Sequence, residues 1–131
     1  VYFSMRSLMY GHDGLPEKLA AGPYATRALV PASTWLDSVA PTAPIVRAGR
    51  DAGTGASTLS LQPQGTEPTW LWVIRAHTGN DWSAEVVPGL QRFFMLPRYP
   101  GGSEPDAVSV SAVDRNGNES IPVVVGIIPS P

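Results

Sequence analysis

The stretch Pro105–Ser120, PDAVSVSAVDRNGNES, decides the fold class of this 131-residue chain. Valine or alanine alternates with serine in it, so Val108, Val110 and Ala112 share one face of a predicted strand. Asn116-Gly117 is a strong signal for a hairpin turn to the apolar run that follows. The stretch therefore predicts two antiparallel strands that each bury one face.

Similar short runs of β-branched and aromatic residues recur between turn-forming residues in the preceding half of the chain. Together they predict strands near 44–48, 57–62, 69–77, 82–87, 90–96, 106–114 and 121–128. Seven short strands in about 90 residues are typical of a small β-sandwich of the immunoglobulin type. The expected fold class is therefore all-β.

Residues 13–22, DGLPEKLAAG, carry a helix signal. Asp13 is a candidate N-cap, Pro16 suits the first turn and Gly22 is a good terminator. Leu15 and Leu19 would share the buried face of this short helix. Residues 23–44, called the connector below, contain four prolines and predict an irregular, partly extended segment.

Composition limits the classes of function. Hydrophobic residues make up 43% of the chain, which is enough for a core, and the net charge of −2 gives no basic surface for nucleic acid. The absence of cysteine excludes a disulfide scaffold, a thiolate zinc site and a cysteine nucleophile. The longest apolar run near the end, Val123–Ile128, is too short to span a membrane. The sequence contains no cofactor-binding motif, and it does not indicate the oligomeric state.

Two stretches of the sandwich resemble bacterial fibronectin type III domains. Pro105–Ser120 is similar to the sixth strand of that fold, with Ala-Val-Asp followed by Gly-Asn-Glu-Ser, and Trp72–Arg75 is similar to the third strand. The chain departs from the pattern at Leu61, where many members have tryptophan, and at Val108, where tyrosine is favoured. The resemblance implies that Phe93 or Phe94 fills part of the core instead.

A longer series resembles the C-terminal region of glycosyl-hydrolase-like family 10 proteins. The residues that carry it are Tyr2-Phe3-Ser4, Arg6-Ser7-Leu8, Gly14-Leu15, Leu19, Pro23-Tyr24, Ala28–Pro31, Trp35-Leu36 and Pro41–Pro44. The resemblance implies that residues 1–40 are the end of a (β/α)8 barrel and its connector, followed by a fibronectin type III-like sandwich at 41–131. It also implies a secreted or cell-envelope protein that acts on a polysaccharide, with the barrel as this domain's partner.

The chain is expected to have no catalytic site of its own. A glycosidase needs two carboxylates across a cleft, and most acidic residues here stand beside turn residues. In a full-length barrel protein, Ser4, Arg6 and Ser7 would follow the last strand at the active-site rim, or would simply anchor the connector. His12 and His77 lack partners at metal-ligand spacing.

The segment Asp114–Glu119 resembles a calcium loop only superficially. Calcium prefers oxygen ligands at alternate positions, but the longer loop and distant glutamate of an EF-hand are missing. A hairpin turn explains the same residues, so no metal site is predicted.

Aromatic residues supply the remaining functional signal. If Leu71 and Val73 face the core, then Trp70, Trp72 and Ile74 lie on the outer face of the third strand. Tryptophans there would be covered by the helix, Trp35-Leu36 or the barrel, or would stack on sugar rings together with Trp82 and Tyr99. The sequence thus favours a non-catalytic accessory domain, with a carbohydrate-binding module as the alternative and a hydrolase as the least favoured hypothesis.

Overall fold

The computed structural model describes Arg6 and residues 9–22, 24–25, 27–97 and 103–127. A single turn of 3-10 helix at His12–Gly14 leads into the helix α1. The regular elements are α1 (Leu15–Ala21), β1 (Ile45–Arg50), β2 (Ser57–Gln62), β3 (Leu71–Thr78), β4 (Asp81–Pro88), β5 (Phe93–Met95), β6 (Ala107–Val113) and β7 (Val123–Gly126). The seven strands match the seven predicted segments.

The strands form two antiparallel sheets. One has three strands in the order β1-β2-β5, and the other has four in the order β4-β3-β6-β7. The chain is thus a seven-stranded immunoglobulin-like, fibronectin type III-like β-sandwich, as predicted. The hairpin signal between β6 and β7 is matched by antiparallel pairing of these two strands.

The core lies between the sheets and is centred on β3. Trp72 and Ile74 are 0% and 2% exposed and belong to one apolar cluster with Leu59 and Leu61 of β2. The indole N–H of Trp72 donates to the carbonyl of Gln91 over 2.9 Å, so burial leaves no unpaired donor. Full burial of a large side chain contributes roughly 1.5–3 kcal/mol to folding.

This arrangement corrects the predicted faces of β3. Trp72 and Ile74 face the core, and Val73, although buried, belongs to the opposite face. Every residue from Trp70 to Ile74 is apolar, so alternation within β3 does not distinguish its faces. The register does: Trp72 pairs with Ala112 and Ile74 with Val110, which are core residues of β6.

The fifth strand is shorter than the predicted segment 90–96. A turn precedes it, in which the Gln91 N–H donates to the Pro88 carbonyl over 3.0 Å. Phe94 is half-buried and packs against the core, whereas Phe93 is 72% exposed. Of the two alternatives that the resemblance implied, Phe94 rather than Phe93 fills part of the core.

The helix differs from its prediction at both its cap and its burial. Gly14 occupies the N-cap with a left-handed φ of 63°, and Asp13 also has a positive φ of 56° and does not cap the helix. Pro16 lies in the first turn and Gly22 at the C-cap, as expected. No residue of α1 is fully buried, but Leu15 and Leu19 are half-buried, so the predicted buried face is only partly covered.

Candidate functional site

The connector is attached to the turn between β6 and β7 by its backbone. The Ser33 N–H donates to the Asn116 carbonyl over 2.7 Å, and the Asn118 side-chain amide donates to the Asp37 carbonyl over 3.2 Å. Gly117, with a φ of +87°, allows close approach, because a Cβ there would lie 3.0 Å from Ala32 Cα. The connector backbone is therefore fixed on both sides of the tight turn at residues 34–36.

The side chains at that turn point away from the sandwich. Trp35 is 80% exposed and Leu36 is 71% exposed, although the Leu36 N–H is held by the Ser33 carbonyl at 2.9 Å. These residues do not cover Trp70 or Trp72, which corrects one of the packing interpretations above. Trp35 and Leu36 form an apolar knob on a fixed backbone.

Asp114 organises the turn that supports this knob. Its carboxylate is 2% exposed and accepts from the backbone N–H groups of Asn116 (2.7 Å) and Asn118 (2.9 Å). Its second oxygen accepts from the Asn118 side chain at 2.8 Å. The hairpin-turn interpretation of this segment accounts for these contacts.

Two acidic residues from distant parts of the sequence approach Asp114. Carboxylate oxygens of Asp37, Glu67 and Asp114 lie within 4.8 Å of one another, and oxygen clusters of this kind suit hard cations. Sequence spacing did not indicate this group, because Asp37 and Glu67 are brought in only by the connector and by the loop before β3. Both oxygens of Asp114 already accept hydrogen bonds within the turn.

The described members of the four candidate sugar-stacking aromatics do not form one platform. Trp72 is buried, Tyr99 falls outside the described residues, and Trp70 and Trp82 are 51% and 61% exposed. Trp70 precedes β3, while Trp82 pairs with His77 near the other end of that strand. Seven residues of strand separate the two positions by about 23 Å, so they cannot stack on one sugar ring.

Different neighbours support the two exposed tryptophans. The guanidinium of Arg115 lies 4.7 Å from the ring centre of Trp70, a cation–π arrangement that occupies that ring. The imidazole of His77 lies 4.9 Å from Trp82 with a 51° tilt between the planes. The Trp82 side chain is more exposed than that of Trp70, and His77 contacts its ring from one side.

Trp82 also lines an open groove of about 730 Å³ between β3, β4 and the connector. We refer to it below as the Trp82 groove. It is lined by Ala25, Arg27, Arg75, Trp82, Ser83, Ala84 and Glu85. Arg27 closes one side by donating from Nη1 to the Val86 carbonyl over 3.1 Å. The sequence had indicated Trp82 but not Arg27, which is 55 residues away.

The polar wall of the groove is held by an ion pair. Arg75 donates to Glu119 Oε1 over 2.7 Å and to the Ser111 hydroxyl over 3.2 Å, and Ser111 also contacts Glu119. The hydrogen bond from Arg75 is the main cause that holds the pKa of Glu119 below its ordinary value of 4.5. The hydrogen bond with Ser111 also lowers this pKa, whereas partial burial raises it. The Arg75 guanidinium is thus fixed in place.

A second pair of side chains, His77 and Asp106, lies next to Trp82. His77 Nδ1 and Asp106 Oδ1 are 2.6 Å apart, and the hydrogen bond to His77 lowers the pKa of Asp106 from its ordinary 3.8. His77 thus contacts both Asp106 and Trp82. This pair supports the ring, and it offers no set of converging metal ligands among the described residues.

The proposed barrel-rim residues lie mostly outside the described part of the chain. Ser4 and Ser7 are not described, and Arg6 is exposed, with its carbonyl accepting from the Tyr10 N–H over 3.0 Å. Among the described residues that line the Trp82 groove, Glu85 is the only acid. The carboxylate pair required for glycoside hydrolysis is therefore not found in that groove.

Comparisons with known proteins do not indicate a family for this chain. No protein-family model and no curated protein matches the sequence. The solved structure of a myokine is similar, with 21% identity, a TM-score of 0.49, and coverage of 66% of this chain and 97% of that one. Within the described residues, no helix is sufficiently long and apolar to cross a membrane.

Proposed function

We propose that this chain is a non-catalytic accessory domain of a secreted glycoside-hydrolase-like protein, which rests against the catalytic barrel through the connector. The resemblance of residues 1–40 to the end of a barrel and its connector supplies the identity of the partner. The observation that carries the proposal is the apolar knob: Trp35 and Leu36 are exposed on a backbone that the β6–β7 turn holds in place.

Two adjacent exposed apolar side chains on a fixed backbone offer a small apolar surface that a partner can cover. Solvating Trp35 and Leu36 is unfavourable, and the hydrogen bonds that fix the turn do nothing to bury them. A partner that docks here loses little conformational entropy, because the backbone is already ordered. Tyr24, Val30 and Val39 of the connector are exposed as well, so apolar side chains are exposed at several positions along it.

The first test concerns the partner. The coding region upstream of Val1 should specify a (β/α)8 barrel, and the intact polypeptide should be compared with a variant carrying Trp35→Ser and Leu36→Ser. We expect the variant to lower the barrel's thermal unfolding midpoint and to increase proteolysis in the connector, because the interface loses its apolar contacts. Leu90→Ser is the matched control, since Leu90 is 88% exposed but lies in the loop between β4 and β5.

Two results would contradict the proposal. One is an upstream region that encodes no barrel. The other is an intact protein in which the Trp35/Leu36 variant and the Leu90 control unfold identically to the parent. Hydrolysis of polysaccharides by the isolated 131-residue chain would contradict the non-catalytic assignment.

A further inference from the structure

The strand β4 lies at the end of the four-stranded sheet, so one side of its backbone has no neighbouring strand in the described part of the chain. At 8 residues it is the longest of the end strands β1, β4, β5 and β7. Its ladder with β3 runs from the Leu71–Pro88 pair to the Thr78–Asp81 pair without a bulge, and β4 contains no lysine or arginine. Long, regular end strands readily add a further strand unless something covers them.

The free side of β4 is formed by the backbone groups of Trp82, Ala84 and Val86. The Gly89 N–H donates to the Trp70 carbonyl over 2.8 Å, and from there every second opposed pair of an antiparallel ladder exchanges hydrogen bonds. The three residues stand in the alternate pairs, so their N–H and C=O groups point away from β3. Their side chains share one face of the sheet, because alternate residues of a strand do.

This edge is complementary to itself. If two copies of β4 pair in antiparallel fashion about Ala84, Trp82 of one copy stands opposite Val86 of the other. The outward backbone groups at each opposed pair can then exchange hydrogen bonds. Trp82 and Val86 would form an aromatic–β-branched side-chain pair, and neither Asp81 nor Glu85 would stand directly opposite another acid.

The connector closes this edge at one point. Arg27 Nη1 donates to the Val86 carbonyl over 3.1 Å, and Ala25 and Arg27 line the groove beside β4. An incoming strand would lie about 4.8 Å from β4, so its N–H would have to take the place of the guanidinium. The outward groups of Trp82 and Ala84, by contrast, have no backbone partner in the described part of the chain.

We propose that Arg27 guards the β4 edge and keeps a second copy of this chain from adding its own β4 to the sheet. A second copy is the occupant because its β4 matches this edge in length, in hydrogen-bonding groups and in side chains. Without the guard, two copies join their four-stranded sheets into one continuous sheet. This inference does not depend on the barrel contact proposed above.

The first test is the association state of the whole chain, measured by sedimentation velocity over a series of concentrations. Arg27→Ser should lower the dimer dissociation constant by about tenfold or more relative to the parent, because each copy regains a free Val86 carbonyl. Arg47→Ser is the matched control, since Arg47 is an exposed arginine on β1. It removes the same charge without touching β4 and should sediment like the parent.

Two further variants, both made in the Arg27→Ser chain, test the pairing about Ala84. Ala84→Glu places two carboxylates directly opposite each other and should restore the monomer. Ala84→Cys should form an interchain disulfide on mild oxidation, because opposed Cα atoms of a hydrogen-bonded pair lie about 5.5 Å apart, within disulfide reach. Leu90→Cys is the matched control, because Leu90 is 88% exposed, lies beyond the end of β4, and the chain has no cysteine of its own.

The proposal is overturned if the Arg27→Ser chain sediments like the parent, if Arg47→Ser dimerises as strongly, or if Ala84→Glu leaves the dimer intact. Equal cross-linking by Ala84→Cys and Leu90→Cys would also overturn it. None of these results bears on the Trp35-Leu36 knob, which is tested by the stability of the barrel protein. Failure of one proposal is therefore distinguishable from failure of the other.

Discussion

The core of the sandwich and the connector both contain apolar side chains, but different interactions hold them. Trp72 is fully buried between the sheets, and its indole N–H is satisfied by Gln91. Trp35 is 80% exposed, and its segment is held by backbone contacts from Ser33, Asp37 and Gly117. Burial explains why Trp72 is present, whereas folding of the sandwich gives no reason for a tryptophan at position 35.

The largest effect should come from the core. Trp72→Ala should reduce the free energy of unfolding by about 3–5 kcal/mol, because it leaves a cavity and an unpaired Gln91 carbonyl. Urea unfolding followed by circular dichroism measures this change. Trp35→Ala should alter the free energy by no more than about 0.5 kcal/mol.

If Trp72→Ala and Trp35→Ala lowered the free energy of unfolding by similar amounts, the contrast between the core and the connector would be contradicted. That result would mean that Trp35 contributes to folding of the isolated chain, and the apolar knob would then need no partner to explain it. Trp82→Ala serves as a second exposed control, since the Trp82 ring contacts His77 and is 61% exposed.

The two tryptophans also show what sequence patterns reveal about the fold. Alternation in β6 correctly predicted Val108 and Val110 as core residues, but it did not predict that the serine face is buried too: Ser109 and Ser111 are 8% and 0% exposed. The run from Trp70 to Ile74 is apolar at every position, so it fixes a strand but not its faces. Those were set by pairing with β6, a contact between residues about 40 positions apart.

The next effect concerns the junction of the two regions. Asp114→Ala should lower the free energy of unfolding by about 2–3 kcal/mol, because the partly buried N–H of Asn116 and the buried N–H of Asn118 lose their acceptor. The connector should loosen with it, and hydrogen exchange at the Ser33 amide should accelerate, since its acceptor is the Asn116 carbonyl. Asp114→Asn keeps one acceptor oxygen and should show a smaller change in both measurements.

Unchanged exchange at Ser33 in Asp114→Ala would show that the connector is held independently of the turn. A lower free energy of unfolding with unchanged exchange at Ser33 would then mean that Asp114 stabilises the sandwich but not the connector. The hydrogen bond from the Asn118 side chain to the Asp37 carbonyl argues for the coupled outcome, because the same amide also donates to Asp114.

A smaller effect should follow from closing the space at the turn. Gly117→Ala places a methyl group 3.0 Å from Ala32 Cα at a φ of +87°. The left-handed backbone alone costs about 1–2 kcal/mol, and contact with the connector adds to it. Gly79→Ala is the matched control, because its φ is +63° and a Cβ there meets nothing within 4 Å. The difference between the two unfolding free energies measures the close approach, and equal losses would contradict it.

The candidate sites were less accessible to sequence reasoning than the fold. Trp82 was singled out as an exposed aromatic, but Arg27 carries no local signal and reaches the same groove only because the connector passes β4. Trp35 and Leu36 were recognised as a pair, yet their exposure depends on how the β6–β7 turn holds the backbone. Long-range contacts of this kind leave no periodicity in the sequence.

The smallest effect should be that of acid pH, and it concerns the outer face of the sandwich rather than its core. Glu119 has a lowered pKa in the folded chain, mainly through its hydrogen bond from Arg75. Its contribution should be fully present above the ordinary pKa of 4.5 and should be lost as the pH falls through the lower folded value.

Urea midpoints should therefore be nearly constant between about pH 7 and pH 5 and should decline below about pH 4.5 as carboxylates that are stabilised in the folded chain become protonated. Glu119→Gln should lower the stability at pH 7 by roughly 1 kcal/mol, because the pair with Arg75 is partly exposed. The same variant should flatten the decline in acid, although Asp106, also with a lowered pKa, continues to contribute. A decline in Glu119→Gln as steep as in the parent would assign the acid sensitivity to other carboxylates and leave Arg75 fixed by packing rather than by its ion pair.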